Sequence, residues 1–174
     1  MTDFIHEPFD LVLIDHHTDM QSSIVGDMLS CGNWAKKALQ NPFLHRLYLI
    51  GPSKHDLKSV EQNKVLSYSI EELEQGTPIP LETKYPVYIS IDKDVLDERY
   101  AMTNWNQGDM SLGMLEDVLA HFLKNCEVIG IDICGDDPDI DDYPTYIKAE
   151  RINNISDDAL YQTAMKMLKR RRKK

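Results

Sequence analysis

The chain has 174 residues, of which 42% are hydrophobic and 28% charged, and a formal net charge of −10, an ordinary profile for a globular protein that buries a sizeable core. The acidic balance argues against nucleic-acid phosphate binding, which needs clustered Lys and Arg, the basic tail apart, and no apolar run approaches the roughly 20 residues of a membrane span. The acidic start, without a signal-peptide pattern, points to a cytoplasmic protein, read as a single domain over residues 1–174 with a basic tail at 169–174.

In chain order, apolar runs alternate with helical patterns. Strands are predicted over residues 9–15, 46–51, 64–69, 86–92 and 127–133. Several of these are nearly continuous apolar runs, as in strands buried on both faces. Helices are predicted over 33–41, 69–76, 111–125 and 156–170. The second opens on a Ser69–Glu72 capping box and closes on Gly76. The third places Leu112, Leu115, Val118, Leu119 and Phe122 on one face. The basic tail follows the last pattern, where cations complement a helix C-terminus. This alternation predicts a three-layer α/β/α fold with a mostly parallel sheet. The three cysteines, Cys31, Cys126 and Cys134, form no CxxC pair and are read as reduced, buried thiols.

The first strand runs into Asp15, His16, His17 and Asp19. Spaced i, i+2, i+4, Asp15, His17 and Asp19 would share one side of an extended backbone. Asp92 and Asp94 repeat the spacing at the end of the fourth strand. In a parallel α/β sheet, sites form at the carboxyl ends of strands. A lone aspartate there is usually a cap or a solvated loop acid. Four carboxylates aimed at one volume repel unless dications neutralise them. Oxygen ligands with imidazole favour Mn²⁺, with Zn²⁺ as the alternative, as one ion or a carboxylate-bridged pair. His16 is expected to face the other way.

These residues resemble the ureohydrolases (arginase, agmatinase) and the related deacetylase-like enzymes. Asp15-His16-His17-Thr18-Asp19 is similar to the family's Asp-Ala-His-x-Asp. Ser90-Ile91-Asp92-Lys93-Asp94-Val95-Leu96-Asp97 is similar to its Ser-x-Asp-x-Asp-x-x-Asp-Pro, with Glu98 in place of the proline. Residues 107–119 resemble a helix-opening segment, and 130–138 resemble Gly-Leu-Asp-Ile-Val-Glu-x-Asn-Pro. The resemblance implies metal ligation by Asp15, His17, Asp19, Asp92 and Asp94, with metal-activated water as nucleophile. Beside it, His16 and Asp136 are the candidate catalytic groups, and Asn33 and Asp136 the candidate substrate contacts.

Three family positions differ. The first metal histidine would fall before Met1, which suggests a chain truncated at its N-terminus. The guanidinium-clamping glutamate aligns with Gly135, next to Asp136. The proton-shuttling histidine aligns with Ala35. Without the clamp, a cationic guanidine would lose a contact worth about 1.5–3 kcal/mol. The expected function is therefore a metal-dependent hydrolase of non-peptide C–N bonds other than a true arginase, acting on a small molecule of unknown identity. The alternative is a non-catalytic metal-binding module. Missing first strands would uncover a sheet edge and favour homo-oligomers. The aspartates of residues 132–142 are read as a solvated acidic loop.

Overall fold

The structure, a computed structural model, describes residues 2–22, 28–60, 63–79, 83–136 and 142–171. Five parallel strands form one sheet: β1 (Phe9–Ile14), β2 (Leu44–Gly51), β3 (Val65–Ser69), β4 (Val87–Asp92) and β5 (Val128–Cys134), in the order β3-β2-β1-β4-β5. All six residues of β1 are buried, as its unbroken apolar run requires of the central strand. Its side chains alternate between two cores. Phe9, Leu11 and Leu13 join Leu47 and Leu49 on one face, packed against Ala35 and Ala38. Val12 and Ile14 join Ile50, Ile89 and Ile91 on the other, packed against Leu115, Leu119 and Phe122. Helices on both faces give the three-layer α/β fold. No helix among the described residues is long and apolar enough to cross a membrane.

The helices are α1 (Trp34–Ala38), α2 (Lys54–Leu57), α3 (Ile70–Glu74), α4 (Leu112–Asn125) and α5 (Tyr143–Arg171). The α3 capping box forms as expected: Ser69 accepts from the Glu72 N–H, and the Glu72 carboxylate accepts from the Ser69 N–H. In α4, Leu115, Val118, Leu119, Phe122 and Leu123 are buried, and Leu112 packs at the margin.

Three sequence expectations are corrected. α1 is only five residues long, because the chain turns at Leu39–Asn41, where the N–H groups of Gln40 and Asn41 bond to the Lys37 and Ala38 carbonyls. α5 begins at Tyr143 instead of 156: Asp142 caps it by accepting from the Thr145 N–H at 2.9 Å, and Pro144 suits a first turn that has no N–H partner to lose. β5 lies at the edge of the sheet, with Ile129 48% and Ile133 37% exposed. Of the cysteines, Cys126 is buried but Cys31 and Cys134 are exposed, all three as free thiols; Cys134 ends the edge strand and Cys31 lies in a surface turn.

Candidate metal centre

β1 and β4 are adjacent, so their carboxyl ends deliver both acidic motifs to one place. The delivery does not follow the extended spacing expected from the sequence. β1 ends at Ile14, and the chain curls through Asp15–Asp19, with Asp19 in the left-handed region at φ 50°. Aspartate tolerates that region better than most residues. β4 ends at Asp92, and a 3₁₀ turn, Lys93–Val95, follows. The Asp92 carboxylate accepts from the Asp94 N–H at 3.0 Å, which caps the turn and brings Asp94 back over the strand end.

Asp15, His17 and Asp94 offer ligand atoms that all lie within 4.8 Å of one another. His17 Nδ1 is 2.8 Å from Asp94 Oδ2. The His17 N–H donates to Asp15 Oδ1 at 2.6 Å, and the His16 N–H donates to Asp94 Oδ1 at 3.1 Å. These backbone donors hold two nearly enclosed carboxylates, Asp15 at 2% and Asp94 at 2% exposure. Asp19 and Asp92 border the trio and act on it electrostatically.

The electrostatics record an excess of negative charge. Burial, followed by the charges of Asp19, Asp94 and Asp92, holds the Asp15 carboxyl well above the usual range. Burial is also the main cause that raises Asp19 to about 6, against hydrogen bonds from Trp34 and Asp15. Burial and then the charge of Asp94 push Asp92 up. His17 is raised, chiefly by its hydrogen bond to Asp94. A proton-hungry cluster of oxygens around one imidazole fits a dication, which would relieve the same repulsion that protons relieve.

The remaining sequence candidates lie differently. The His16 ring stands against Gly108, where an added Cβ would come 3.0 Å from His16 Nδ1; it is its backbone N–H that serves Asp94. Asn33 spends its side chain on its own loop, accepting from the Ser30 N–H and donating to the Met28 carbonyl, both at 2.9 Å. Asp136 pairs with Lys93, whose Nζ lies 2.6 Å from its Oδ1. Asp137, Asp139 and Asp141 of the acidic stretch, and residues 172–174 of the tail, lie outside the described residues.

Sequence reasoning missed several neighbours. Lys93 is 1% exposed and also bonds the Asp157 carboxylate of α5 at 3.0 Å. Its position between two motif aspartates was visible, but its partners lie 43 and 64 residues away. Cys134 reaches Asp92 Oδ2 at 3.5 Å. Trp105 stacks edge-on to His17 at 6.3 Å. At Gly135, φ is +98°, and a Cβ would come 2.4 Å from Asp92 Oδ1, so no side chain fits there.

A parallel three-layer α/β sheet with a carboxylate–imidazole cluster at the ends of two adjacent central strands defines the class. Known proteins then place it more narrowly. The sequence matches the profile of the Arginase family over residues 1–154, and the chain belongs to that family, whose members are hydrolases acting on C–N bonds. It is 34% identical over 149 residues to an uncharacterized protein of Thermotoga maritima, a match that covers 86% of this chain and 56% of that protein. The agmatine ureohydrolase of Thermoplasma volcanium superposes with a TM-score of 0.73 at 19% identity, covering 97% of this chain and 59% of that one. For the formimidoylglutamase of Bacillus subtilis the values are 0.72, 18%, 93% and 54%. A Mn²⁺-bound triple mutant of an arginase-like protein of T. brucei gives 0.62 and 23%, covering 91% and 53%. The chain thus spans little more than half the length of these relatives.

Proposed function

We propose that the chain is a metal-dependent hydrolase of a non-peptide C–N bond in a small molecule, with Asp15, His17, Asp19, Asp92 and Asp94 holding Mn²⁺, or Zn²⁺ as the alternative. The observation that carries this reading is the convergence of Asp15, His17 and Asp94 within 4.8 Å among carboxylates whose affinity for protons is raised. The Mn²⁺ in the T. brucei relative supports the choice of ion. When bound, such an ion acts as a Lewis acid and lowers the pKa of water. The chain's own part is positional. The N–H groups of His16 and His17 fix Asp94 and Asp15, and the Asp92 carboxylate fixes the turn that carries Asp94. His17 Nδ1, 2.8 Å from Asp94 Oδ2, would be the imidazole atom offered to the ion.

A second reading, a metal-binding module without turnover, is favoured by one observation. Asp136 and Asn33 are both engaged within the protein, which leaves them poor proton donors or substrate contacts. One experiment separates the two. Mn²⁺ is titrated into the protein and into Asp94→Asn by calorimetry, and both are assayed on guanidino, ureido and acyl-amine compounds. Stoichiometric binding with turnover, both lost in the variant, supports the hydrolase. Binding without turnover supports the module. Absence of binding defeats both.

A further inference from the structure

Lys93 stands in the chain between two of the candidate ligands, Asp92 and Asp94, and is among the largest fully buried side chains of the protein, at 1% exposure. A lysine is rarely enclosed unless its head group is bonded. Here Nζ donates to Asp136 Oδ1 at 2.6 Å and to Asp157 Oδ2 at 3.0 Å, and it lies 3.0 Å from the other Asp157 oxygen, which is itself enclosed. Among the described residues, no carboxylate of the candidate centre shares these bonds. Asp136 follows β5, and Asp157 lies on α5. The lysine therefore ties the turn after β4 to two parts of the molecule that contribute nothing else to that turn's hydrogen bonds.

The turn, Lys93–Val95, carries Asp94 to the centre. Its other restraints meet at Asp94 itself. The Asp94 N–H donates to the Asp92 carboxylate at 3.0 Å, the Asp94 carbonyl accepts from the Gly108 N–H at 2.7 Å, and the His16 N–H donates to Asp94 Oδ1 at 3.1 Å. Lys93 fixes the residue before it. The chain after β5 also runs close there, since a Cβ at Gly135 would come 2.8 Å from the Lys93 backbone nitrogen. Desolvation offsets much of the stability a buried ion pair could add. A fully bonded polar group instead gives direction, because its hydrogen bonds select one arrangement of its surroundings. A metal site needs that, as ligands held loosely bind weakly.

We propose that Lys93 is a positioning residue for the metal centre. Its bonds to Asp157 and Asp136 set the turn, and through the turn the place of the Asp94 carboxylate, so that α5 takes part in determining affinity for the ion. The inference rests on the metal-binding reading for the ion alone; the hold on the turn is a property of the metal-free protein.

The test substitutes Lys93→Met in the full chain, which keeps the length of the side chain and removes Nζ. An apolar group in place of a buried ionic one is often neutral in stability, so the metal-free variant is expected to melt close to the wild type. Its amide hydrogen exchange, without metal, is expected to be about tenfold faster or more at Asp94 and Gly108 and unchanged at Leu123 in the middle of the core. Calorimetric Mn²⁺ binding is expected to weaken by ~10–100-fold. The EPR spectrum of the ion that still binds is expected to change shape, which a loss of stability alone would not cause. Asp157→Asn should act in the same direction, and the double variant should bind no more weakly than Lys93→Met, because both remove one link. Unchanged exchange at Asp94 and Gly108, equal acceleration at Leu123, or wild-type affinity for Mn²⁺ in the variant would overturn the proposal. Should Lys93→Met not fold, the same measurements on Asp157→Asn decide, at a residue 39% exposed. A wild type that binds no Mn²⁺ defeats the metal-binding reading, whereas unchanged exchange at Asp94 defeats the hold of Lys93 on the turn.

Discussion

Asp15 is held against the charges of its neighbours at the centre. It is 2% exposed, and burial and three neighbouring aspartates act against its charge. Asp15→Asn removes that charge at nearly constant shape and keeps an acceptor for the His17 N–H. It is expected to raise the melting temperature of the metal-free protein. It should also weaken Mn²⁺ binding by more than the ~10–100-fold that loss of an outer-shell partner typically costs. Melts with and without Mn²⁺ check both effects, and a lower metal-free Tm would show that the charge is not repulsive.

Asp19 adds a pH dependence whose sign follows from its raised value. Its carboxyl sits at about 6 in the folded protein, against about 3.9 in an unfolded chain. The folded state therefore binds the extra proton. The contribution of Asp19 to stability is complete below about pH 4 and is lost as pH rises through about 6. Urea midpoints measured across that window should fall more steeply for the wild type than for Asp19→Asn; parallel curves would remove Asp19 as the source.

At the scale of elements, α5 is the part that holds the segment from Lys93 to Met102 to the body. Its buried positions Ala149, Asn153, Ser156 and Leu160 form one stripe. Asn153 clasps the backbone of Met102, accepting from its N–H at 2.8 Å and donating to its carbonyl at 2.9 Å. Ser156 Oγ donates to the Tyr100 carbonyl, and Asp157 reaches Lys93, between Asp92 and Asp94. Asn153→Ala deletes two hydrogen bonds at a position 5% exposed and leaves backbone groups unpaired. The expected cost is about 2–3 kcal/mol, read from urea unfolding, against little change for the exposed Asp158→Ala.

The same helix shows where the sequence is legible and where it is not. The strands are visible because burial on both faces demands unbroken apolar runs, and β1 satisfies that demand at every residue. The first half of α5 is not visible, because its buried face includes Asn153 and Ser156, polar residues satisfied only by a loop some 50 residues earlier in the chain. At the site, the clustering of Asp15, His17 and Asp94 at strand ends follows from the α/β alternation. How they converge does not. A left-handed Asp19 and a 3₁₀ turn capped by Asp92 replace the simple two-residue spacing. The Lys93–Asp136 pair joins residues that no local pattern connects.

For the whole molecule, the consequence is a conflict between charge and stability that a bound cation would resolve. The chain carries a net charge of −10 and gathers four carboxylates at the centre of its sheet. Any ion that binds the folded state alone stabilises it by RT ln(1 + [L]/Kd), about 2.7 kcal/mol at 100 times Kd. In a protein of this size that corresponds to a rise in Tm of roughly 5–10 °C. Protons compete for the same oxygens. As pH falls through about 6, Asp19 takes up its proton, and the increment due to Mn²⁺ is expected to shrink. Calorimetric scans at pH 7.5 and 5.0, with and without saturating Mn²⁺, measure this directly. Asp94→Asn should abolish the increment at both pH values, since it removes one of the three converging candidate ligands. A Tm rise that persists undiminished in the variant, or at pH 5.0, would place the ion elsewhere on the acidic surface. A rise that depends on both Asp94 and pH would tie it to the ends of β1 and β4, where the fold concentrates its negative charge.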